Sequence, residues 1–508
     1  MNRPLLAALL TLLAAFAPVA LAQTGQPVPQ MAHYDAFAQG LIAQYGVPGL
    51  SLAVMKDGRL VYARGFGMAD PAAGEPVQPD SRFRIASLSK AVTSAAVMRL
   101  VDQGLLDLDA PAFALLPDLP TLAGQTEDPR LATVTVRNLL LHTGGWDRDA
   151  TGYDPMFDSR TIATAAGVPA PAGCESVIRY MRGRPLDFTP GSRYAYSNFG
   201  YCVLGRIVER ASGQPYETFV RSLLGEAGAG GMRLGATRAE GRLPGEVRYV
   251  EAYGRACPSV FPPFATGPCP YGEFYLEAMD AHGGWVASAV DLARFIRAVD
   301  GRGPGTDILS ASAVQTMTAR PNVSTWNGQN SWYAFGWQVN TFGHWWHSGA
   351  LNGTRTFMAR TSYQGLSWVV LVNSWPYQND NAFISAIDNG MWTQAQAVTS
   401  WPSHDLFAQF PSAGEAAPGG PSTLALDAPY PNPAAGATTV RLTLGAPLAV
   451  SVGVFDVLGR EVAQLHDGPL GTGAHRLAFD ATALAPGVYV VRASTSTGAV
   501  SQRVNVVR

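Results

Sequence analysis

Lysine is nearly missing from this chain. Of its 36 lysines and arginines, only Lys56 and Lys90 are lysines, so arginine carries almost all the positive charge. Arginine keeps its proton at any ordinary pH, whereas a desolvated lysine can lose one, and the two are not interchangeable where a base is needed. Lys56 opens Lys56-Asp57-Gly58 between two apolar runs, LSLAVM and RLVYARGFGMAD, a hairpin signal that places it in a turn. Lys90, inside FRIASLSKAVTS (residues 83–94), has no such explanation and points to chemistry.

Other absences exclude whole classes. A formal net charge of -2 without any basic run leaves no electrostatic footprint for nucleic acid. No G-x-S-x-G elbow occurs, which argues against an α/β-hydrolase. His344 and His347 stand three apart on an expected strand and so on opposite faces, which argues against a shared metal; neither metal nor cofactor is expected. Cysteine is sparse, with Cys174, Cys202, Cys257 and Cys269 allowing three pairings. Cys257–Cys269 is the preferred pair because CPSVFPPFATGPC is short and Pro-rich and needs a staple to hold one shape, which leaves Cys174–Cys202.

What is present describes a globular protein of two or three domains, 47% apolar over 508 residues. Residues 1–22, with an early arginine, an apolar run and Ala20-Leu21-Ala22, are expected to form a signal peptide, and an uncleaved anchor is disfavoured by Pro18 and the small-residue site. Residues 23–410 are expected to form one α/β domain. Its hairpin leads to a helix over about 87–104, then to loops and helices such as ESVIRYMRG and GYCVLGRIVERASG. Strands return at FGWQVNTFG, GHWWHSGALN, TRTFMARTS and LSWVVLVNS, and a helix follows in AFISAIDNGMWTQAQ. Strands at both ends imply an antiparallel sheet assembled from both termini, with flanking helices and a helical insert. PSAGEAAPGGPST, residues 411–423, has linker composition, and residues 424–508 show short alternating strands of a small all-β sandwich.

Three short motifs carry the chemistry. Ser87 and Lys90 are spaced to share one helix face, and a lysine held neutral by burial and nearby positive charge can take the serine proton. Tyr196-Ser197-Asn198 lies on a turn announced by Pro190-Gly191, where a phenol next to an ammonium can shuttle protons and an asparagine can hydrogen-bond a substrate amide. His347-Ser348-Gly349 lies on an expected strand, where glycine would let a substrate backbone approach.

In this order and spacing, S-x-x-K, Y-S-N and H-S-G resemble the serine β-lactamase and penicillin-binding protein superfamily, in particular its class C β-lactamase, D-alanyl-D-alanine carboxypeptidase and family VIII esterase branch. The resemblance spans about residues 33–395 and includes LLLHTGGW, PGSRYAYSNFGYCVLGRIVE and GGWVASAVDLARF. It implies a β-lactamase/transpeptidase-like fold with Ser87 as acylated nucleophile, Lys90 as its proton acceptor and Tyr196 as proton carrier to the leaving group. It further implies Asn198 as a substrate-amide ligand, and an oxyanion hole from the backbone N–H groups of Ser87 and Ala350. His347 stands where β-lactamases usually place a lysine, and a neutral imidazole holds a carboxylate more weakly than an ammonium. The expected activity is therefore acyl-enzyme hydrolysis of D-residue-containing peptides or small esters, with β-lactams a poorer substrate. A surface binding protein that keeps the fold without turnover is the rival reading, and intact Lys90 argues against it.

APYPNPA, VFDVLGREVAQL and LAPGVYVVRAS resemble the C-terminal sorting domain of the type IX secretion system over about residues 424–508. The resemblance implies export machinery as a partner and a secreted or cell-surface location reached through the periplasm. A carbohydrate-binding or spacer sandwich is the plainer alternative.

Overall fold

Lys56-Asp57-Gly58 makes the turn its composition announces: strand β1 (Gly49–Lys56) pairs antiparallel with β2 (Arg59–Asp70). Asp57 and Gly58 both take positive φ, 51° and 75°, the backbone a two-residue hairpin turn of the right twist requires. This computed structural model describes residues 22–302, 305–411 and 424–507, apart from 428, 430, 445–446, 457–458, 472 and 496–497. The expected signal peptide and the 411–423 linker therefore lie outside the described residues, but for Ala22 and Pro411.

The chain divides into two compact units, Met1–Gly414 and Glu415–Arg508. In the first, β4 (Gln338–Asn340), β5 (Trp345–Leu351), β6 (Thr354–Arg360) and β7 (Leu366–Val372) form the expected meander, which is extended at its edge by a short strand the sequence did not announce, β3 (Ser331–Tyr333). β7 pairs with β1, Val370 opposite Leu52, so the sheet runs Gln23–Thr24, β2, β1, β7, β6, β5, β4, β3. It is antiparallel and assembled from both ends of the unit, as expected.

Its central strands are apolar on both faces, which is why they read as continuous runs rather than alternation. Leu50, Leu52, Val54, Trp368 and Val370 pack with Tyr34, Ala38, Phe383 and Ile387 of helices α1 (Ala32–Tyr45) and, at the far end of the unit, Asp380–Ala397. Ala53, Met55, Val369 and Leu371 join the larger core on the opposite face, with α2 (Ser89–Asp102), α3 (Cys174–Arg182) and α4 (Asn198–Ser212). Disulfides join Cys174 to Cys202, tying α3 to α4, and Cys257 to Cys269, closing the Pro-rich loop.

One boundary differs from expectation. The helix anticipated from residue 87 begins at Ser89, and Ala86–Leu88 form a separate tight 3-10 turn. Ser87 thus sits on that turn rather than on the helix.

The second unit is built of two sheets. One orders Leu424–Leu426, Ala437–Leu444, Gly473–Asp480; the other Glu461–Leu470, Leu448–Phe455, Gly487–Thr495, Gly498–Val506. Val440, Leu442, Val452, Val491 and Val504 form its buried core. Glu461–Leu470 is an edge strand with no fully buried residue, only Ala463, Leu465 and Leu470 packing partly on the core, and so shows a weaker alternation than its neighbours. Among the described residues, no helix is long and apolar enough to cross a membrane.

Candidate active site

The approach to Ser87 is rigid before any chemistry begins. Phe83–Arg84 pair with Val286 and Ala287, and the fully buried Arg84 donates to the carbonyl oxygens of Pro270 (2.6 Å), Ala236 and Thr237 (both 2.8 Å). Its guanidinium also lies 4.3 Å from the centre of the Tyr249 ring, and its Nε faces Glu246 Oε1 at 4.0 Å, so charge and packing both hold it. Ala86 then takes φ +48°, a left-handed backbone that non-glycine residues rarely adopt, and Ser87 follows on the turn.

Lys90, in the first turn of α2, is completely buried. Its Nζ lies 3.1 Å from Ser87 Oγ, 2.8 Å from Asn198 Oδ1 and 2.9 Å from the His282 carbonyl oxygen. The amide and peptide oxygens can only accept. A neutral amine satisfies them with its two N–H bonds and turns its single lone pair toward Ser87. Burial first, and the Arg148 guanidinium second, hold the Lys90 pKa well below that of a free lysine, while Asp154 opposes them.

Tyr196 closes the other side of Ser87, its hydroxyl donating to Ser87 Oγ at 2.9 Å. Burial raises the phenol pKa, the Ser87 hydrogen bond opposing, so Tyr196 remains a neutral donor. The Arg148 guanidinium lies 4.7 Å from the centre of its ring, an attraction that holds this cation over the phenol; Lys90 Nζ lies 4.8 Å from the same ring, but for it the desolvation of full burial outweighs that attraction. Asn198 opens α4, with Ser197 as N-cap. Its Oδ1 faces Lys90 and its Nδ2 donates to Asp154 Oδ2 at 2.7 Å, so both ends of the amide are held by the protein on the cavity wall.

On β5, His347 Nδ1 lies 2.7 Å from the Ser348 carbonyl oxygen and Nε2 lies 3.1 Å from the Tyr333 hydroxyl. The carbonyl must accept, so Nδ1 carries the proton and Nε2 accepts from Tyr333. Burial, with Lys90 next, pushes the His347 pKa down to about 3, leaving a neutral ring. His344, on the opposite side, packs on Trp392 with ring centres 5.0 Å apart.

Gly349 has a different purpose from the one its sequence suggests. A Cβ there would stand 2.6 Å from the Ile85 carbonyl oxygen and 2.5 Å from Thr356 Oγ1, so the missing side chain admits the protein's own nucleophile turn. Arg355 donates to the Gly349 carbonyl (3.0 Å) and pairs with Asp380 through two contacts of 2.7 and 3.1 Å, which fixes this strand. β4 reaches along β5 as far as Trp346, leaving the edge at Ala350 facing a cavity of about 600 Å³ that Ser87, Tyr196, Asn198 and His347 also line.

Sequence reasoning missed Arg148, Asp154, His142 and Tyr333. His142 lies within the quoted LLLHTGGW. Its Nδ1 accepts from the Ser197 N–H (3.1 Å), and its ring sits 4.3 Å from that of Tyr196 and 4.5 Å from that of Tyr333. Asp154 carried one legible signal, an acidic residue before Pro155, which marks a helix start.

Residues 34–387 match the family described as Beta-lactamase, and residues 428–507 match the Secretion system C-terminal sorting domain. The chain is 31% identical to Esterase EstB of Burkholderia gladioli over 373 residues, 66% of this chain and 92% of the esterase. It is 28% identical to Penicillin-binding protein 4 of Amycolatopsis lactamdurans over 354 residues, 67% of this chain and 85% of that protein. The fold is similar to that of the D-amino acid amidase of Ochrobactrum anthropi SV3, with a TM-score of 0.52 and 24% identity over 71% of this chain and 99% of that one. The penicillin-binding protein homologue of Pyrococcus abyssi gives a TM-score of 0.54 at 20% identity, covering 88% of this chain and 99% of that one.

The protein belongs to the β-lactamase family of serine hydrolases. It also carries a secretion sorting domain at its C-terminus, which implies export to a secreted or cell-surface location.

Proposed function

We propose that this exported hydrolase is acylated on Ser87 and cleaves uncharged substrates, small esters first and D-residue-containing peptides second. The observation that carries this reading is the position of Ser87 Oγ between Lys90 Nζ (3.1 Å) and Tyr196 Oη (2.9 Å). Neutral Lys90 takes the Ser87 proton as Oγ attacks the carbonyl carbon. The N–H groups of Ser87 and Ala350 receive the oxyanion, a contribution of several kcal/mol for such donors. As the tetrahedral intermediate collapses, Tyr196 gives its phenolic proton to the leaving oxygen or nitrogen and regains one from the Lys90 ammonium. Water then repeats the sequence on the acyl-enzyme, releasing the acid and restoring the Ser87 hydroxyl.

Substrate class follows from the neutral His347. With Nε2 already accepting from Tyr333, the ring offers a substrate carboxylate no positive charge, and the arginines on the same wall, Arg148, Arg255 and Arg355, are already paired with Asp154, Glu273 and Asp380, which favours neutral acyl groups over β-lactams. Phe157, Phe274, Met279 and Leu351 on the cavity wall suit a small apolar acyl group. The Burkholderia gladioli relative is an esterase. A binding protein without turnover has no use for a fully buried amine whose desolvation is costly. For export, the reading combines the expected leader at residues 1–22 with the sorting domain as an address read by secretion machinery.

Incubation of the protein with short-chain nitrophenyl esters, D-alanyl peptides and a fluorescent penicillin, followed by intact-mass analysis, tests this. Ester turnover with a Ser87 adduct is expected. Absence of any adduct or turnover, with Ser87→Ala indistinguishable from the parent, would refute it.

A further inference from the structure

Asn198 poses a problem that its own chemistry cannot solve. The two ends of an amide have nearly the same shape but opposite hydrogen-bonding character. Were Nδ2 to face Lys90, the neutral amine would have to turn its lone pair to that donor and away from Ser87. Something outside the amide must select the orientation.

We propose that Asp154 is a positioning residue for Ser87 acylation, holding Asn198 in the orientation that leaves the Lys90 lone pair aimed at the nucleophile. A carboxylate only accepts, so Asp154 Oδ2, 2.7 Å from Asn198 Nδ2, admits that end of the amide alone and sends Oδ1 to Lys90. Asp154 is itself fixed from two sides. Its Oδ1 accepts from the Met156 N–H at 3.1 Å, capping the Pro155–Phe157 turn, and Oδ2 also receives Arg148 Nη1 at 3.1 Å. The chain of contacts runs from the capped turn through Asp154 and Asn198 to Lys90 and Ser87, each link within hydrogen-bond distance.

The same pair gives the site a second adjustable property. The charged neighbours acting on Lys90 are Arg148, which makes the amine easier to deprotonate, and Asp154, which makes it harder. The other groups around it are neutral: the Tyr196 and Tyr201 rings at 4.8 and 5.7 Å, and His142, His282 and His347, whose burial keeps them unprotonated. Activity requires neutral Lys90 and so rises with pH through its pKa. Removing the Asp154 charge must move that limb to lower pH, and removing the Arg148 charge must move it to higher pH.

The inference rests on the Ser87 acylation proposed above, and the test separates the two. Acylation by a short-chain nitrophenyl ester is measured against pH for the full chain and for Asp154→Ala, Asp154→Asn and Arg148→Gln, with thermal melting to establish folding. Asp154→Ala is expected to lose on the order of 100-fold in acylation rate, the scale of a displaced catalytic group. Asp154→Asn, nearly isosteric, is expected to shift the acid limb down and Arg148→Gln to shift it up. A folded Asp154→Ala acylated within twofold of wild type overturns the inference while leaving Ser87 acylation intact. So do limbs that do not move in the other two variants, whatever the loss of rate, because a merely structural role would produce that result. A wild-type chain that is never acylated overturns the parent reading and this one together.

Discussion

The Cβ position of Gly349 on β5 would stand 2.9 Å from the backbone nitrogen of Ser87, so the third motif is packed against the turn that carries the nucleophile. Gly349→Ala should therefore destabilise the protein by about 1–3 kcal/mol, the usual penalty for overpacking. The added methyl displaces the Ser87 N–H assigned to the oxyanion hole, so kcat should fall more than KM rises. Thermal melting and steady-state ester kinetics check the two effects; an unchanged kcat in a destabilised variant would detach Gly349 from the reaction.

On the proposed mechanism, Lys90 sets the pH dependence. Its burial and the Arg148 charge lower its pKa, so kcat/KM for a neutral ester should rise with pH through a midpoint well below the value of about 10.4 for a free lysine. Lys90→Arg, which cannot lose its proton, should abolish turnover. A flat profile from pH 5 to 9 with an active Lys90→Arg variant would contradict the assignment.

On the proposed reading, His347 selects the charge of the substrate. Replacing it by lysine should raise kcat/KM for a carboxylate-bearing β-lactam relative to a neutral ester by about tenfold, the effect of one added charge-assisted contact. The measurement is the ratio of the two substrates in His347→Lys and wild type. Equal ratios would place the discrimination elsewhere in the cavity.

The Cys174–Cys202 bridge ties α3 to α4, one turn beyond Asn198. For the loop it closes, loss of the cross-link should cost about 3–4 kcal/mol. A Cys174→Ser/Cys202→Ser double variant should show this in denaturant unfolding, with ester kinetics of the folded fraction near wild type because the catalytic hydrogen bonds do not pass through sulfur.

How much of this was legible depended on how local each feature is. Ser87 and Lys90, the Tyr196 turn and the Asp57-Gly58 hairpin are short-range patterns, and the structure places them together as their spacing implies. Whether Ser87 opens a helix or occupies a 3-10 turn before it is a matter of one hydrogen-bond register, which composition does not encode. Asp154 went unread because its importance comes from contacts between residues 44 and 108 positions apart, Asn198 with Asp154 and Lys90 with Asn198, and Arg148 because its importance lies in its place beside Asp154 and the Tyr196 ring. Gly349 was legible as a residue that admits a backbone, but which backbone enters is decided by tertiary packing. The edge strand Glu461–Leu470 buries no residue fully, and only Ala463, Leu465 and Leu470 pack partly on the core, so its apolar pattern is weak.

The pairing of β1 with β7 joins residues near 50 to residues near 370. A sheet closed in this way is a late event in chain growth, since the loop between its partners must be complete before either edge is satisfied. Gly349 and Ala350 belong to the strands that arrive last, so a growing or unfolded chain carries Ser87 without the surface that would make it reactive. On the proposed assignment of Ser87, the order of synthesis thus makes the nucleophile early and completes its site only when the unit is whole.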